Sequence, residues 1–220
     1  HYGDISTVSF FPAHNITTGE GGAVFTNSGQ LYRVIESYSS WGKNCWCKPG
    51  DSNTCNKRFE FKIGDLPYGW DHKYTFTRLG YNLKMTELQA SLGLSQLGRL
   101  DEFNSRRRKN YDYLTEKLSK HEEFIQFLDV PEWSNPVPFG IPVFLSREIE
   151  MLDIVTFLEK HGIATRPVFG GNLVRHPAFK GSPVYRDLWH SDYVMERVFW
   201  IGCWQGLDEM HLDYVASTFD

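Results

Sequence analysis

The feature of this sequence that most constrains its fold is the alternation of strand-like and helical segments along its second half. Residues 139–145, 164–169 and 198–204 are short apolar runs rich in β-branched and aromatic side chains, whereas residues 149–161 and 207–219 space their apolar side chains at helical intervals. A chain that alternates in this way lays helices against a sheet around one core, which predicts an α/β domain. The first half reads differently. Residues 5–11, with Ile5, Val8, Phe10 and Phe11, have a strand pattern expected to be buried; it stops at Pro12 and delivers His14 to its end. Gly19-Glu20-Gly21-Gly22 then turns the chain into a second strand over residues 23–26, and a helix follows over 31–38. Residues 39–69 are polar and glycine-containing, and irregular segments of that length inside compact domains usually carry function. Thr86-x-x-Gln89 has the form of a capping box opening a helix to about residue 100, and a further helix runs to about residue 120. Met85, Leu88, Leu92, Leu94 and Leu97 spread apolar surface around most of the first of these helices, which is therefore expected to be buried or to lie in a dimer interface. The expected division is a portion of a large domain, residues 1–105, and a small α/β domain, residues 106–220.

Charge narrows the function classes. Lys and Arg number 23 against 27 Asp and Glu, and the basic residues are scattered apart from Arg106-Arg107-Arg108-Lys109, so nucleic acid is excluded as a partner. That run shares a helical stretch with Phe103, Tyr111, Leu114 and Leu118 and reads as a solvated face. No apolar run approaches the roughly eighteen residues of a membrane span, and a soluble, cytoplasmic protein is expected. The chain opens with His1-Tyr2-Gly3-Asp4 rather than Met and enters a strand pattern at once, so an upstream part of the protein is expected. Four cysteines in such a compartment read as metal ligands or free thiols rather than disulfides.

Two constellations carry chemistry. The first is Ser9-Phe10-Phe11-Pro12-Ala13-His14-Asn15-Ile16-Thr17-Thr18-Gly19-Glu20-Gly21-Gly22. A histidine by itself is more often structural than catalytic, but this one stands where a strand ends beside a glycine-rich turn, and an imidazole suits proton transfer near neutral pH. The segment resembles the cofactor segment of the DegT/DnrJ/EryC1/StrS sugar aminotransferases, which place a lysine where this chain has His14. An imidazole has no primary amine and cannot form the Schiff base that the lysine makes. The resemblance therefore narrows to the 3-dehydrases of that group, which carry the same exchange and hold pyridoxamine 5'-phosphate, or pyridoxal 5'-phosphate, without a covalent bond. It implies the C-terminal part of a fold-type I pyridoxal-phosphate-dependent transferase. It also implies that His14 is the catalytic base, that Ser9 binds the cofactor phosphate, and that Asn82 in Gly80-Tyr81-Asn82 reaches the cofactor phosphate of a neighbouring subunit. Phe11 and Asn15 depart from the tyrosine and second histidine common in the family, and no role is carried over to them.

The second constellation is Cys45-x-Cys47-x7-Cys55. In an extended chain Cys45 and Cys47 project to one face and Trp46 to the other, and Pro49, Gly50, Asp51 and Ser52 supply turn-formers that return Cys55 to the same place. By spacing alone, zinc and an iron–sulfur cluster are equally good tenants of three thiolates. The wording around them, Trp41-Gly42-Lys43-Asn44-Cys45-Trp46-Cys47, Thr54-Cys55-Asn56-Lys57-Arg58-Phe59 and Asp71-His72-Lys73-Tyr74, resembles the iron–sulfur 3-dehydrases that act on CDP-4-keto-6-deoxyglucose. The resemblance implies that Cys45, Cys47 and Cys55 hold a [2Fe–2S] cluster whose fourth cysteine lies upstream; Cys203, in an apolar strand, reads as a core residue.

The resemblance implies further that the substrate is a nucleotide-linked 4-keto-6-deoxyhexose, approached weakly by Arg166 and Asn172. His14 would move the proton that lets the C3 hydroxyl leave, and a flavin- and iron–sulfur-containing reductase would deliver electrons through the cluster. A homodimer is expected from Asn82 and the apolar helix after it. Since the ring-stacking and ring-nitrogen residues of the family lie upstream, this segment alone is expected to be inactive. Two other readings remain open: a cluster-free 3-dehydrase acting on GDP-4-keto-6-deoxymannose, and a non-catalytic zinc-stabilised interaction domain.

Overall fold

A computed structural model describes residues 3–47 and 50–220. The chain divides into two compact units, His1–Leu97 and Gly98–Asp220. In the first, strands β1 (Ser6–Ser9) and β2 (Gly22–Phe25) pair antiparallel with Ser9 opposite Gly22. β1 was expected to be buried, yet all four of its residues are exposed, because a two-stranded ribbon has no second layer within this unit to cover it. Helix α1 (Gly29–Ser39) starts where Ser28 accepts a hydrogen bond from the Leu31 N–H at 3.3 Å. From there to residue 86 the described residues are irregular apart from a short 3-10 helix, His72–Tyr74, and two isolated bridges, Ser40 with Asn82 and Lys43 with Phe76. Gly42 makes this crossing possible. It adopts φ +76°, and a Cβ there would sit 1.8 Å from the Arg78 carbonyl oxygen, so only glycine lets the two segments pass.

Helix α2 (Glu87–Leu97) begins with the capping box read from the sequence: Gln89 Oε1 accepts from Thr86 N at 2.8 Å, and Thr86 Oγ1 accepts from Gln89 N at 3.3 Å. Gln89 also donates to the Glu20 carbonyl at 2.8 Å and Gln96 accepts from Thr17 N at 2.9 Å, which fastens α2 to the glycine-rich turn. No α2 residue is buried; Leu88 is 84% exposed. The apolar circumference is thus uncovered within this chain, which leaves the dimer interface, of the two places expected for it.

The second unit opens with helix α3 (Leu100–Leu118), so the boundary expected at residue 105 would cut a continuous helix. Strands β3 (Ile125–Gln126), β4 (Gly140–Leu145), β5 (Thr165–Pro167) and β6 (Val198–Gly202) form a sheet in the order β3-β4-β6-β5, every neighbour antiparallel. Helices α4 (Met151–Lys160), α5 (Trp189–Arg197) and α6 (Glu209–Thr218) complete it. β3, two residues long, and α5, which buries no residue, have little signal in the sequence. β4 alternates strictly, burying Ile141, Val143 and Leu145, and these meet Phe199 and Ile201 of β6, Leu114 and Leu118 of α3, and Leu158 of α4 in one core. Each such side chain contributes about 1.5–3 kcal/mol on burial.

The basic run on α3 is only partly a solvated face. Arg107 is 2% exposed and donates through Nη1 to the Pro138 and Phe139 carbonyls at 3.4 and 3.3 Å. Arg108 donates to the carbonyls of Pro136 and Asn135, and Arg106 to that of Gln205. Guanidinium groups reach backbone oxygens of the segments before β4 and after β6, which a reading of charge alone does not foresee. No helix among the described residues is long and apolar enough to cross a membrane.

Candidate active site and cysteine centre

The segment after β1 closes on itself. Phe10 N donates to the Gly21 carbonyl at 2.9 Å, the Phe10 carbonyl accepts from Thr18 N at 3.0 Å and from the Thr17 hydroxyl at 2.8 Å, and His14 N donates to the Phe11 carbonyl at 3.0 Å. These bonds bring Ser9 and His14 together at the end of the ribbon. His14 Nδ1 lies 2.9 Å from the Ser9 carbonyl oxygen, which can only accept, so Nδ1 carries the proton and the basic lone pair sits on Nε2. The ring is half-buried, with Phe11 edge-on at 6.3 Å. Ser9 Oγ accepts from Phe11 N at 3.2 Å, keeping the hydroxyl at the same turn, exposed. Asn82, also exposed, is held through its bridge to Ser40.

The cysteines converge. Cys45, Cys47 and Cys55 are all half-buried, and one donor atom from each of Cys45, Cys47 and His72 lies within 4.8 Å of the others. Cys55 joins them through His72, whose Nε2 is 3.3 Å from Cys55 Sγ. Asn53 and Asn56 make the return, both in the left-handed region (φ 58° and 54°) that asparagine tolerates, with Asn56 N bonded to the Asn53 carbonyl at 3.0 Å. An ion pair fixes the other side: Arg58 places Nε and Nη2 at 2.9 and 2.6 Å from Asp71 Oδ2, while Asp71 Oδ1 accepts from Lys73 N at 2.9 Å. Asp71 thereby caps the 3-10 helix that carries His72. Trp46 and Phe61 flank the His72 ring at 5.2 and 5.1 Å.

Electrostatics separate the thiols. A hydrogen bond from the Thr54 hydroxyl lowers the Cys47 pKa to about 7, so a thiolate is available near neutral pH, whereas burial raises that of Cys45. The Arg58 guanidinium holds the Asp71 carboxyl below its ordinary value. The donor set suits a soft, thiolate-preferring metal group: the Cys45 and Cys47 sulfurs lie within 4.8 Å of each other and of a His72 ring nitrogen, and the Cys55 sulfur stands 3.3 Å from His72 Nε2. Reasoning from the sequence missed His72 as a member of this centre, because a single histidine seventeen residues after Cys55 matches no ligand spacing.

Arg166 and Asn172 lie in the second unit. Arg166 is 70% exposed at its side chain and donates to the Thr165 carbonyl at 2.6 Å, with Glu159 at 3.8 Å. Asn172 is 4% exposed; its amide donates to Asp192 at 2.8 Å and its oxygen accepts from Val174 N at 3.3 Å, capping a short 3-10 helix over Leu173–Arg175. Cys203 is fully buried in the core as expected, its sulfur 3.5 Å from the Pro138 carbonyl.

Known proteins resemble this chain along its whole length. The chain is 48% identical over its whole length to the lipopolysaccharide biosynthesis protein RfbH of Salmonella typhimurium, covering 51% of that protein. It is 47% identical over 99% of its length to a dTDP-4-dehydro-2,6-dideoxy-D-glucose 3-dehydratase of Saccharopolyspora spinosa, covering 48% of it. The chain thus spans about half the length of the curated relatives it matches. Among solved structures, a mutant GDP-4-keto-6-deoxymannose-3-dehydratase with bound GDP-perosamine superposes over all of this chain and 55% of its own, with a TM-score of 0.81 at 21% identity. The shared fold is that of the fold-type I aminotransferases. Residues 1–220 match one family along their entire length, and the chain belongs to the DegT/DnrJ/EryC1/StrS aminotransferase family.

Proposed function

We propose that the protein of which this chain forms a part is a sugar-nucleotide 3-dehydratase that removes the C3 hydroxyl of a nucleotide-linked 4-keto-6-deoxyhexose, using pyridoxamine phosphate and a [2Fe–2S] cluster. The observation that carries this reading is the geometry of His14, which by sequence resemblance takes the place of the family's Schiff-base lysine: its Nδ1–H donates to the Ser9 carbonyl at 2.9 Å, which puts the basic lone pair on Nε2. Two relatives named as 3-dehydratases, of dTDP- and GDP-linked sugars, support the reaction class without fixing the nucleotide.

The residues of the turn suit a non-covalently held cofactor. Ser9 offers a hydroxyl at a strand end, and Asn82 offers an exposed amide for a phosphate across a dimer. Pyridoxamine phosphate, when bound, supplies an amine that condenses with the C4 ketone and a ring that accepts electrons. His14 takes the proton at Nε2 and holds it while the C3 oxygen departs. Lacking an amine, it cannot capture the cofactor, which keeps the site committed to dehydration.

Cys45, Cys47 and Cys55 would hold the cluster, with a fourth ligand from the half of the relatives' length that this chain does not span. A [2Fe–2S] cluster supplies one-electron steps, and a flavin-containing reductase would be their source. The test is anaerobic purification of the protein extended to the length of its relatives. About two iron atoms per chain, as the cluster formula requires, with visible absorption that bleaches on reduction, is the expected result. Colourless protein with bound zinc would make the centre structural, and iron-free protein that still dehydrates would make it a cluster-free enzyme. His14→Ala is expected to abolish C3–O cleavage while cofactor binding persists; full activity in that variant removes His14 as the base.

A further inference from the structure

We infer that His72 is a positioning residue for the cysteine centre, donating an N–H···S hydrogen bond from Nε2 to Cys55 and so raising the reduction potential of the group the cysteines hold. This rests on the iron–sulfur reading proposed above. His72 Nε2 and Cys55 Sγ are 3.3 Å apart, ordinary for a nitrogen–sulfur hydrogen bond. A metal-bound thiolate has no proton, so it accepts and the imidazole donates.

The surroundings fix which nitrogen carries the proton. His72 is 1% exposed, and Nδ1 has no hydrogen-bond partner among the described residues. With the proton on Nε2, the orphan is a bare lone pair; with the proton on Nδ1, a buried N–H would go unpaired, the costlier arrangement. A histidine that ligates through Nε2 normally anchors its Nδ1–H on a carbonyl, carboxylate or water, and no carbonyl or carboxylate among the described residues stands at Nδ1. The ring is also held in place. Trp46 and Phe61 pack against it, the His72 backbone N–H donates to the Arg58 carbonyl at 3.4 Å, and Arg58 is locked to Asp71 at the head of the same 3-10 helix.

Reduction adds one negative charge to the group, spread onto its sulfurs. A fixed N–H aimed at one of them stabilises the reduced form more than the oxidised one, and hydrogen bonds to sulfur are among the determinants of such potentials. The experiment is potentiometric titration of the full-length protein with iron measured alongside. His72→Phe keeps a ring in the aromatic box and removes the donor. It is expected to retain iron and to lower the reduced-to-oxidised ratio at a given potential about tenfold, or about 59 mV for a one-electron couple. His72→Gln returns an N–H near the position of Nε2 and is expected to recover most of the shift.

An unchanged potential in His72→Phe, or loss of iron with a changed spectrum, overturns the inference, the latter because it makes His72 a ligand. If neither variant folds, pulsed electron resonance of the reduced wild-type protein carrying ¹⁵N-histidine decides. A weak nitrogen coupling supports the hydrogen bond; the strong coupling of a bound nitrogen, or no coupling, refutes it. Iron-free wild-type protein sinks the iron–sulfur reading itself, whereas iron-loaded protein with an indifferent His72 sinks only this inference.

Discussion

The two units of the chain solve opposite problems. Among the described residues, every buried apolar side chain belongs to the second unit, from Phe103 to Ala216, whereas the buried side chains of the first are Thr18, Ser37, His72 and Thr75, all polar. The second unit is held by dispersion and water exclusion around one core. The first is held by local hydrogen bonds, a capped helix and an ion pair, and it leaves Leu79 95% and Leu88 84% exposed. The unit that carries His14 and the three converging cysteines is therefore the one with little hydrophobic stabilisation of its own. Site geometry is bought there by polar bonds, and those are worth far less net than a core.

The largest expected effect follows from that contrast. Residues 98–220 expressed alone are expected to melt in one cooperative transition, because their core closes within the unit. Residues 1–97 alone are expected to show no cooperative transition by calorimetry and to bind a hydrophobic dye. A sharp melt from the first fragment would end the comparison.

Thiol chemistry sharpens it at single residues. Burial pushes the Cys203 thiol up to about 11, and the side chain is fully enclosed. In metal-free protein, iodoacetamide should therefore label Cys45, Cys47 and Cys55 readily and reach Cys203 only through unfolding, slower by about a thousandfold or more given ordinary domain stabilities. Mass spectrometry of labelled peptides against time gives the ratio directly. Comparable rates at all four would mean that the second unit opens as easily as the first.

How legible all this was in the sequence depends on the kind of signal. Strong periodicity transferred well: the alternation in β4 and the capping box at Thr86 and Gln89 stand where the residue pattern put them. Burial transferred poorly wherever it depends on what lies opposite. The apolar runs of β1 and α2 look like core, yet the first unit supplies no layer to cover them. Arg107 looks like surface, yet carbonyls at Pro138 and Phe139 draw it inside. The site shows the same split. Ser9 and His14, five residues apart, were joined by local sequence, whereas the return of Cys55 runs through Asn53 and Asn56, which are not among the turn-formers read from the sequence, of which Pro49 lies outside the described residues. His72 stood in a segment that the resemblance picks out, but its place beside the cysteines depends on Arg58 and Asp71, a contact no spacing rule encodes.

Core substitution sets the scale of the difference in energy. Leu114, fully buried in the second unit, is expected to cost about 2–5 kcal/mol when truncated to Ala, from lost burial and the cavity left behind. Leu88→Ala on α2, 84% exposed in this chain, is expected to change stability by no more than about 0.5 kcal/mol. Denaturant melts of the 220-residue chain test both. A large loss at Leu88 would show that α2 is covered in solution.

The smallest expected effect is the most local and concerns the ion pair beneath the cysteine centre. Arg58 lowers the Asp71 pKa from its ordinary 3.8, so the carboxylate stabilises the folded loop fully above that value and loses its contribution as pH falls through the depressed folded value. Solvent reaches the pair, with side-chain exposures of 32% and 15%, so screening keeps the effect modest. His72 reports it, since its backbone N–H bonds to the Arg58 carbonyl and Asp71 caps its 3-10 helix. In an acid titration followed by nuclear magnetic resonance, the His72 ring signals are expected to shift with an inflection below 3.8, while core signals of the second unit hold. Asp71→Asn should remove the inflection and leave those core signals unchanged. An inflection that persists in the variant would assign the acid sensitivity to another carboxylate, and one that moves both units together would show that the first unit draws its stability from a source other than its own polar bonds.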